Sequence, residues 1–234
     1  MKKNLILTYS TGQTELTSLT YPFLERYCEN HNIDLIITRE SHPHIKDKFD
    51  ILNIEWVIGG GERLFAYDLF NLYDRILWIG SDVLVQPYAP NIFDETPKGY
   101  ISGYVEHKKG EPHHAGDICG DCYNAFGIWP DNYINIDVML VDKELKDIYN
   151  YNNPELITNI NKGKWTYQDY FNFYIKQNNI PLFDLGYRWN CMVSNYIYTN
   201  RPIPNDWYFM HVTGIPREDR INLIRNYLIN NGMI

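Results

Sequence analysis

Hydrophobic positions recur along this chain first at the spacing of a strand and then at the spacing of a helix, and their order predicts an open α/β sheet. Leu5-Ile6-Leu7-Thr8-Tyr9 is a short apolar run ending in Ser10-Thr11-Gly12, which predicts a buried strand emptying into a turn. Thr17 to Asn30 carries Leu19, Phe23, Leu24, Tyr27 and Cys28 at helical spacing, and Ile33 to Thr38 supplies a second, β-branched strand. Strand, helix and strand in that order favour a parallel sheet with a right-handed crossover. Ligands on such sheets gather outside the carboxyl ends of the strands.

Gly59-Gly60-Gly61 breaks the chain before Glu62 to Asn71, where Leu64, Phe65, Ala66, Leu69 and Phe70 predict a helix facing a core. Arg75 to Ile79 is the next strand, Gly80-Ser81-Asp82 is a polar break, and Val83-Leu84-Val85 resumes extension until Pro87 and Pro90. Tyr100 to Glu106 predicts another strand. His107 to Gly127 is polar, Gly-rich and without periodicity, as expected of a loop over a site. Tyr133 to Val141 is β-rich, and Lys143–Tyr151, Glu155–Ile160 and Thr166–Gln177 have helical patterns. A strand around Pro181–Leu185 and another over Trp207–Met210 precede His211. Arg217 to Asn230 closes the sequence as an amphipathic helix with Ile221, Ile224, Leu228 and Ile229 on its apolar side.

Composition narrows the function classes. A chain of 234 residues, 44% hydrophobic and 21% charged, has the makings of one core, and with no internal repeat or flexible linker, residues 1–234 are expected to form a single domain. The net charge of -8, with both signs interleaved, argues against the basic stripe that nucleic-acid binding requires. No apolar run approaches the roughly 20 residues of a membrane span, and the Lys2-Lys3 start leads into too short an apolar stretch for a signal peptide. Four cysteines do not make a disulfide framework, so a reducing, cytoplasmic setting is expected. Aromatic residues reach 15%, with 20 tyrosines. Such rings serve carbohydrate and nucleotide stacking as well as ordinary packing.

The segment Tyr73-Asp74-Arg75-Ile76-Leu77-Trp78-Ile79-Gly80-Ser81-Asp82-Val83-Leu84-Val85 carries the most specific signal. It resembles the central segment of retaining GT-A glycosyltransferases of the glycogenin and lipopolysaccharide galactosyltransferase type, in which an apolar strand ends in Asp-x-Asp. Two carboxylates at alternate positions of an extended chain point the same way and can hold a divalent cation against a nucleotide-sugar diphosphate. The resemblance continues in order. Glu62-Arg63-Leu64 is similar to the family's basic residue near the donor, Tyr133-Ile134-Asn135-Ile136-Asp137-Val138-Met139-Leu140 to its Phe-Asn-Ala-Gly-Val-Met-Leu segment, and Tyr167-Gln168-Asp169-Tyr170-Phe171-Asn172 to its Asp-Gln-Asp-x-x-Asn. Arg188-Trp189-Asn190 resembles the Trp-Asn pair, and His211-Val212-Thr213-Gly214 the terminal His-x-x-Gly, whose imidazole is a further metal ligand.

This resemblance implies a GT-A fold with a mixed central sheet and a Rossmann-like first half. It further implies transfer of a sugar from a nucleotide-diphosphate donor, UDP first among them, to a hydroxyl of a glycan or other acceptor. The cofactor would be Mn²⁺ or Mg²⁺ held by Asp82 and His211. Thr8, Tyr9, Ser10, Arg63, Ser81, Asp82, Asn135 and Gly214 would meet the donor, with Gln168, Asp169 and Asp137 nearest the chemistry. Three departures stand out. Gly80 replaces the first Asp of Asp-x-Asp, Tyr167 replaces an Asp, and Asp137 occupies a Gly position and is a candidate to compensate for either loss. A binding module of the same fold without catalysis is the alternative, and the competing readings are Asp82 as the cap of a turn and His211 as a hydrogen-bonded core histidine. A nucleotidyltransferase would want a basic phosphate loop, which Ser10-Thr11-Gly12-Gln13-Thr14 lacks. Separately, His107, His113, His114, Cys119 and Cys122 form an irregularly spaced cluster that could take a structural Zn²⁺.

Overall fold

The computed structural model describes residues 3–10, 14–51, 61–108 and 116–234. In chain order the first half comprises β1 (Asn4–Tyr9), α1 (Thr14–His31), β2 (Asp34–Thr38), α2 (Pro43–Ile51), a 3₁₀ turn at Gly61–Phe65 running into α3 (Ala66–Leu69), β3 (Arg75–Ile79), β4 (Val83–Val85) and α4 (Ile92–Glu95). Then come β5 (Ile101–Lys108), α5 (Ile118–Phe126), β6 (Asn132–Asp142), a 3₁₀ stretch at Lys143–Tyr149, α6 (Pro154–Asn159) and α7 (Tyr167–Gln177). β7 (Leu182–Asp184), a 3₁₀ turn at Tyr187–Trp189, β8 (Cys191–Met192), α8 (Val193–Ile197), β9 (Phe209–His211) and α9 (Arg217–Asn230) complete it.

The main sheet runs β2-β1-β3-β6-β5-β7. β1 pairs in parallel with β2 and β3, as the opening pattern predicts, whereas β6 joins β3 antiparallel and makes the sheet mixed. Both faces are covered, which is why β1 and β3 read as unbroken apolar runs. Leu5, Leu7, Ile76, Trp78, Met139 and Val141 pack into a cluster with the α5 and α7 side, while Ile6, Leu77, Ile79, Val138 and Leu140 alternate onto the opposite face with Leu24 and Tyr27 of α1. Val83–Val85 does not prolong the main sheet. It belongs to a second sheet, β4-β9-β8, packed under Ile221, Ile224 and Leu228 of α9.

Several elements differ from the periodicity reading, each for a local reason. Residues 61–65 wind as 3₁₀ because Glu62, Arg63 and Leu64 are all buried, and three consecutive inward side chains do not fit an amphipathic α-helix. Lys143–Tyr149 is likewise 3₁₀. The expected loop over 107–127 contains a helix, α5, capped by Asp117, which accepts from the Gly120 N–H, and closed by Gly127 at φ 72°. Its apolar positions include Cys119 and Cys122. On α9, Ile221, Ile224 and Leu228 face inward, but Ile229 lies one residue off that stripe and is 53% exposed. Helices α2 and α8 had no clear period to announce them. The Thr11–Gly12 part of the first turn, Gly59-Gly60 and both His113 and His114 lie outside the described residues. Among the described residues, no helix is long and apolar enough to cross a membrane.

Candidate functional site

The β3–β6 register places Ile79 opposite Val138, so the next cross-strand position sets Gly80 against Asp137. The Gly80 N–H donates to the Asp137 carbonyl at 2.8 Å, and the Val83 N–H turns back to the Gly80 carbonyl at 3.2 Å. That turn carries Ser81 and Asp82 out of the main sheet toward the small one. There β4 pairs Val83 with His211 of β9, and the Val212 N–H donates to the Asp82 carbonyl at 3.1 Å. Two sheets thus bring three side chains, one from a turn and two from strands, toward one point.

Each carboxylate at that point gives one oxygen to a guanidinium and turns the other toward one imidazole. Arg220, on α9, reaches Asp82 Oδ2 at 3.0 Å, and Arg63 reaches Asp137 Oδ1 at 2.9 Å. The remaining oxygens face the imidazole: Asp82 Oδ1 is 3.3 Å from His211 Nε2 and Asp137 Oδ2 is 3.7 Å from it. Nε2 is buried and forms no hydrogen bond.

The tautomer of His211 follows from a chain of hydrogen bonds anchored in backbone. The Asp137 N–H can only donate, so its 3.1 Å partner, Asn135 Oδ1, accepts. Asn190 Nδ2 therefore donates to Asn135 Oδ1 at 3.0 Å, which turns Asn190 Oδ1 toward His211. That oxygen, 3.0 Å from Nδ1, can only accept, so Nδ1 carries a proton. Nε2 of the neutral ring then presents a lone pair to two carboxylate oxygens. Three lone pairs around one buried point repel unless a cation lies among them, a proton or a metal ion.

Electrostatics agree with this geometry. Burial pushes the Asp82 carboxyl up, but His211 and Arg220 outweigh it and hold the group below the usual carboxylate range. Burial lowers the His211 imidazole, yet Asp82 and then Asp137 and Glu106 reverse the sign and raise it. The donor set of carboxylate oxygens and one imidazole nitrogen suits Mn²⁺ or Mg²⁺. Among the described residues, no three His, Cys, Asp or Glu side chains stand as placed to hold a metal ion, so a cation here would draw the Asp82, Asp137 and His211 side chains closer together. Of the three side chains, Asp137 is the most accessible at 32%, against 12% for Asp82 and none for His211.

The amide chain extends beyond Asn135. Its Nδ2 reaches Gln168 Oε1 at 3.3 Å and Glu106 Oε2 at 3.4 Å, and Gln168 Nε2 donates to Glu106 Oε2 at 3.2 Å. Asn135, Asp137, Gln168, Asp82 and His211 are therefore brought together. Arg63 lies beneath them, 5% exposed, donating to the Ile136 carbonyl and stacked on Trp78, so it positions Asp137 from below. Ser81 sits in the turn, its carbonyl accepting from Thr20. Thr8, Tyr9 and Ser10 lie at the carboxyl end of β1 alongside β2, Thr8 and Tyr9 buried and Ser10 half-buried. Gly214 follows His211 at φ 74°, where a Cβ would stand 2.9 Å from that of Ser194.

Asp169 is completely buried and accepts from the Tyr133 hydroxyl and the Trp165 N–H. In the cysteine segment, Cys119 Sγ is 3.2 Å from His107 Nδ1, and Cys122 Sγ points to the Asp169 carbonyl. Burial pushes both thiols up to about 12. Sequence reasoning missed Arg220 and Glu106. Arg220 is one charge among many on a polar helix face, with nothing local to mark it, whereas Glu106 could have been suspected as a carboxylate closing a strand beside the predicted loop.

No family sequence profile matches the chain, and no protein of curated function matches it in sequence. Solved structures do match. The architecture is that of glycosyltransferases: a glycosyltransferase involved in glycosylation of the major capsid of PBCV-1 aligns over 96% of this chain and 99% of its own, with TM-score 0.59 and 20% identity. The bifunctional glycosyltransferase WbbM aligns over 96% of this chain but 50% of its own, with TM-score 0.60 and 15% identity. Mouse xyloside xylosyltransferase 1 aligns over 92% and 98%, with TM-score 0.54 and 11% identity. At these identities the likeness shows the GT-A fold alone.

Proposed function

We propose that this chain is a metal-assisted glycosyltransferase that moves a sugar, with retention, from a nucleotide-diphosphate donor, UDP-linked first among them, to a hydroxyl of a glycan or other acceptor. The observation that carries it is the His211 Nε2 lone pair facing Asp82 Oδ1 at 3.3 Å, in a fold shared with glycosyltransferases. Asp82 and His211 would hold Mn²⁺ or Mg²⁺. When bound, the ion supplies charge neutralisation for the departing nucleotide diphosphate. Asn190 fixes the imidazole tautomer, Arg220 and Arg63 hold the carboxylates in place, and Gln168 and Asn135 present amides to the donor sugar. With no side chain required as nucleophile, the acceptor oxygen bonds to the anomeric carbon on the face where its bond to the diphosphate oxygen breaks, and the acceptor's proton leaves with the nucleotide diphosphate.

Thermal-shift screening against UDP-, GDP-, CDP- and dTDP-sugars, each with and without Mn²⁺, tests this. A ligand at 100 times its Kd should stabilise by about 2.7 kcal/mol. One nucleotide should give a Mn²⁺-dependent rise in Tm and release of free sugar or product; silence with all four rejects the proposal. A Mn²⁺-dependent shift without any turnover would instead favour the non-catalytic binding module.

A further inference from the structure

The glycine at position 80 and the aspartate at position 137 are cross-strand neighbours, and neither is explained alone. Directly opposed residues of an antiparallel pair ordinarily hold their Cβ atoms about 4.5–5.5 Å apart. A Cβ added to Gly80 would lie 3.4 Å from Asp137 Cβ, 3.7 Å from its Cγ and 3.0 Å from Asp82 Oδ1. The Asp137 side chain thus leans into the volume that a side chain on residue 80 would fill. It brings one oxygen toward His211 Nε2 while Arg63 holds the other.

Resting on the functional reading above, we infer that the first carboxylate of the metal motif has crossed the ladder from β3 to β6: Asp137 Oδ2 is a cation ligand alongside Asp82 Oδ1 and His211 Nε2, and Gly80 is the space its side chain needs. The motif is then complete, assembled from two strands rather than one. Arg63 acts as a positioning residue, turning the Asp137 carboxylate so that Oδ2 faces the imidazole.

Mn²⁺ binding in the presence of UDP, followed by the electron paramagnetic resonance of free Mn²⁺, provides a readout independent of turnover. Asp137→Asn should weaken Mn²⁺ by at least about tenfold, since the charge count of the ligands sets affinity. Gly80→Asp alone should also weaken it, by crowding Asp82 and Asp137. The double variant Gly80→Asp/Asp137→Gly, which empties the space on one strand and fills it from the other, should recover most of the loss. Arg63→Met, with Asp137 intact, should bind Mn²⁺ better than Asp137→Asn does. If Asp137→Asn binds Mn²⁺ as the wild type does, or if Arg63→Met loses as much as Asp137→Asn, the inference is overturned while the functional reading stands. A wild type that binds no Mn²⁺ with any nucleotide removes both. Should the variants fail to fold, wild-type crystals soaked in Mn²⁺ and UDP decide: an anomalous peak in coordination distance of Asp137 Oδ2 supports the inference, and one bonded to Asp82 and His211 but not Asp137 rejects it.

Discussion

The two ends of the β3–β6 ladder carry the same chemistry and put it to opposite uses. At one end Arg75 faces Asp142 across the strands; at the other, Gly80 faces Asp137. The Arg75–Asp142 end is closed. Asp142 Oδ1 pairs with Arg75 Nε and Oδ2 accepts the Gly99 N–H at 2.6 Å, while the remaining guanidinium nitrogens donate to the Phe93 carbonyl, the Thr96 hydroxyl and the Pro97 carbonyl. At the Asp137 end each carboxylate takes one guanidinium and leaves one oxygen facing His211 Nε2. A buried ion pair with every partner supplied holds a fold together. One with an oxygen left over, beside an unpaired imidazole nitrogen, is arranged to receive something.

Breaking the closed end should have the largest effect on the molecule. Asp142→Ala leaves the Arg75 guanidinium buried without its counter-charge, which costs about 3–5 kcal/mol. Urea denaturation should show that loss as a lowered midpoint. Protein that still folds should bind Mn²⁺ and nucleotide as before, because nothing in the open cluster contacts Asp142. A stability loss under about 1 kcal/mol, of the order seen for exposed pairs, would contradict the closed reading.

How much of this contrast could be read from sequence depends on whether the signal was local. β1 and β3 announced themselves because burial on both faces makes each one a continuous apolar run, whereas β2, half-buried at the sheet edge, and β6 showed through their β-branched residues. Asp82, Asn135, Gln168 and His211 were legible because they sit at positions shared with a known pattern. What joins them was not. The Gly80–Asp137 opposition depends on register, and Arg220 reaches Asp82 from 138 positions away along the chain. Neither is visible in a window of sequence. Helix α5 was hidden because its buried positions Ile118, Cys119 and Cys122 sit among glycines and polar residues that read as a loop.

The comparison can be sharpened at the open end through Asn190, which touches no carboxylate. Its amide oxygen holds the proton on His211 Nδ1 and so keeps the Nε2 lone pair aimed at the cluster. Asn190→Ala removes that constraint, and outer partners of metal-binding histidines are typically worth 10–100-fold in affinity. Mn²⁺ titration in the presence of UDP should show a loss in about that range, while UDP measured without metal binds unchanged. Equal losses with and without Mn²⁺ would mean that Asn190 shapes the nucleotide pocket rather than the imidazole.

The smallest effect should come from Asp169, a third buried carboxylate that sits next to Gln168 in sequence but is closed like Asp142. Both its oxygens have partners, the Tyr133 hydroxyl and the Trp165 N–H. Asp169→Asn keeps an acceptor for Tyr133 but sets an amide N–H against the Trp165 N–H, a loss of about 1 kcal/mol. Burial, the largest influence, raises the Asp169 pKa from its ordinary 3.8 despite those two hydrogen bonds. A carboxyl with a raised pKa in the folded state binds its proton more tightly there than in the unfolded chain. Its stabilising contribution is full below pH 3.8 and falls as pH rises through the folded-state value. The stability gap between wild type and Asp169→Asn should therefore narrow as pH rises across that window, and sugar transfer by the variant should keep its kcat. A turnover loss of 100-fold with unchanged stability would move Asp169 from the closed class to the open one.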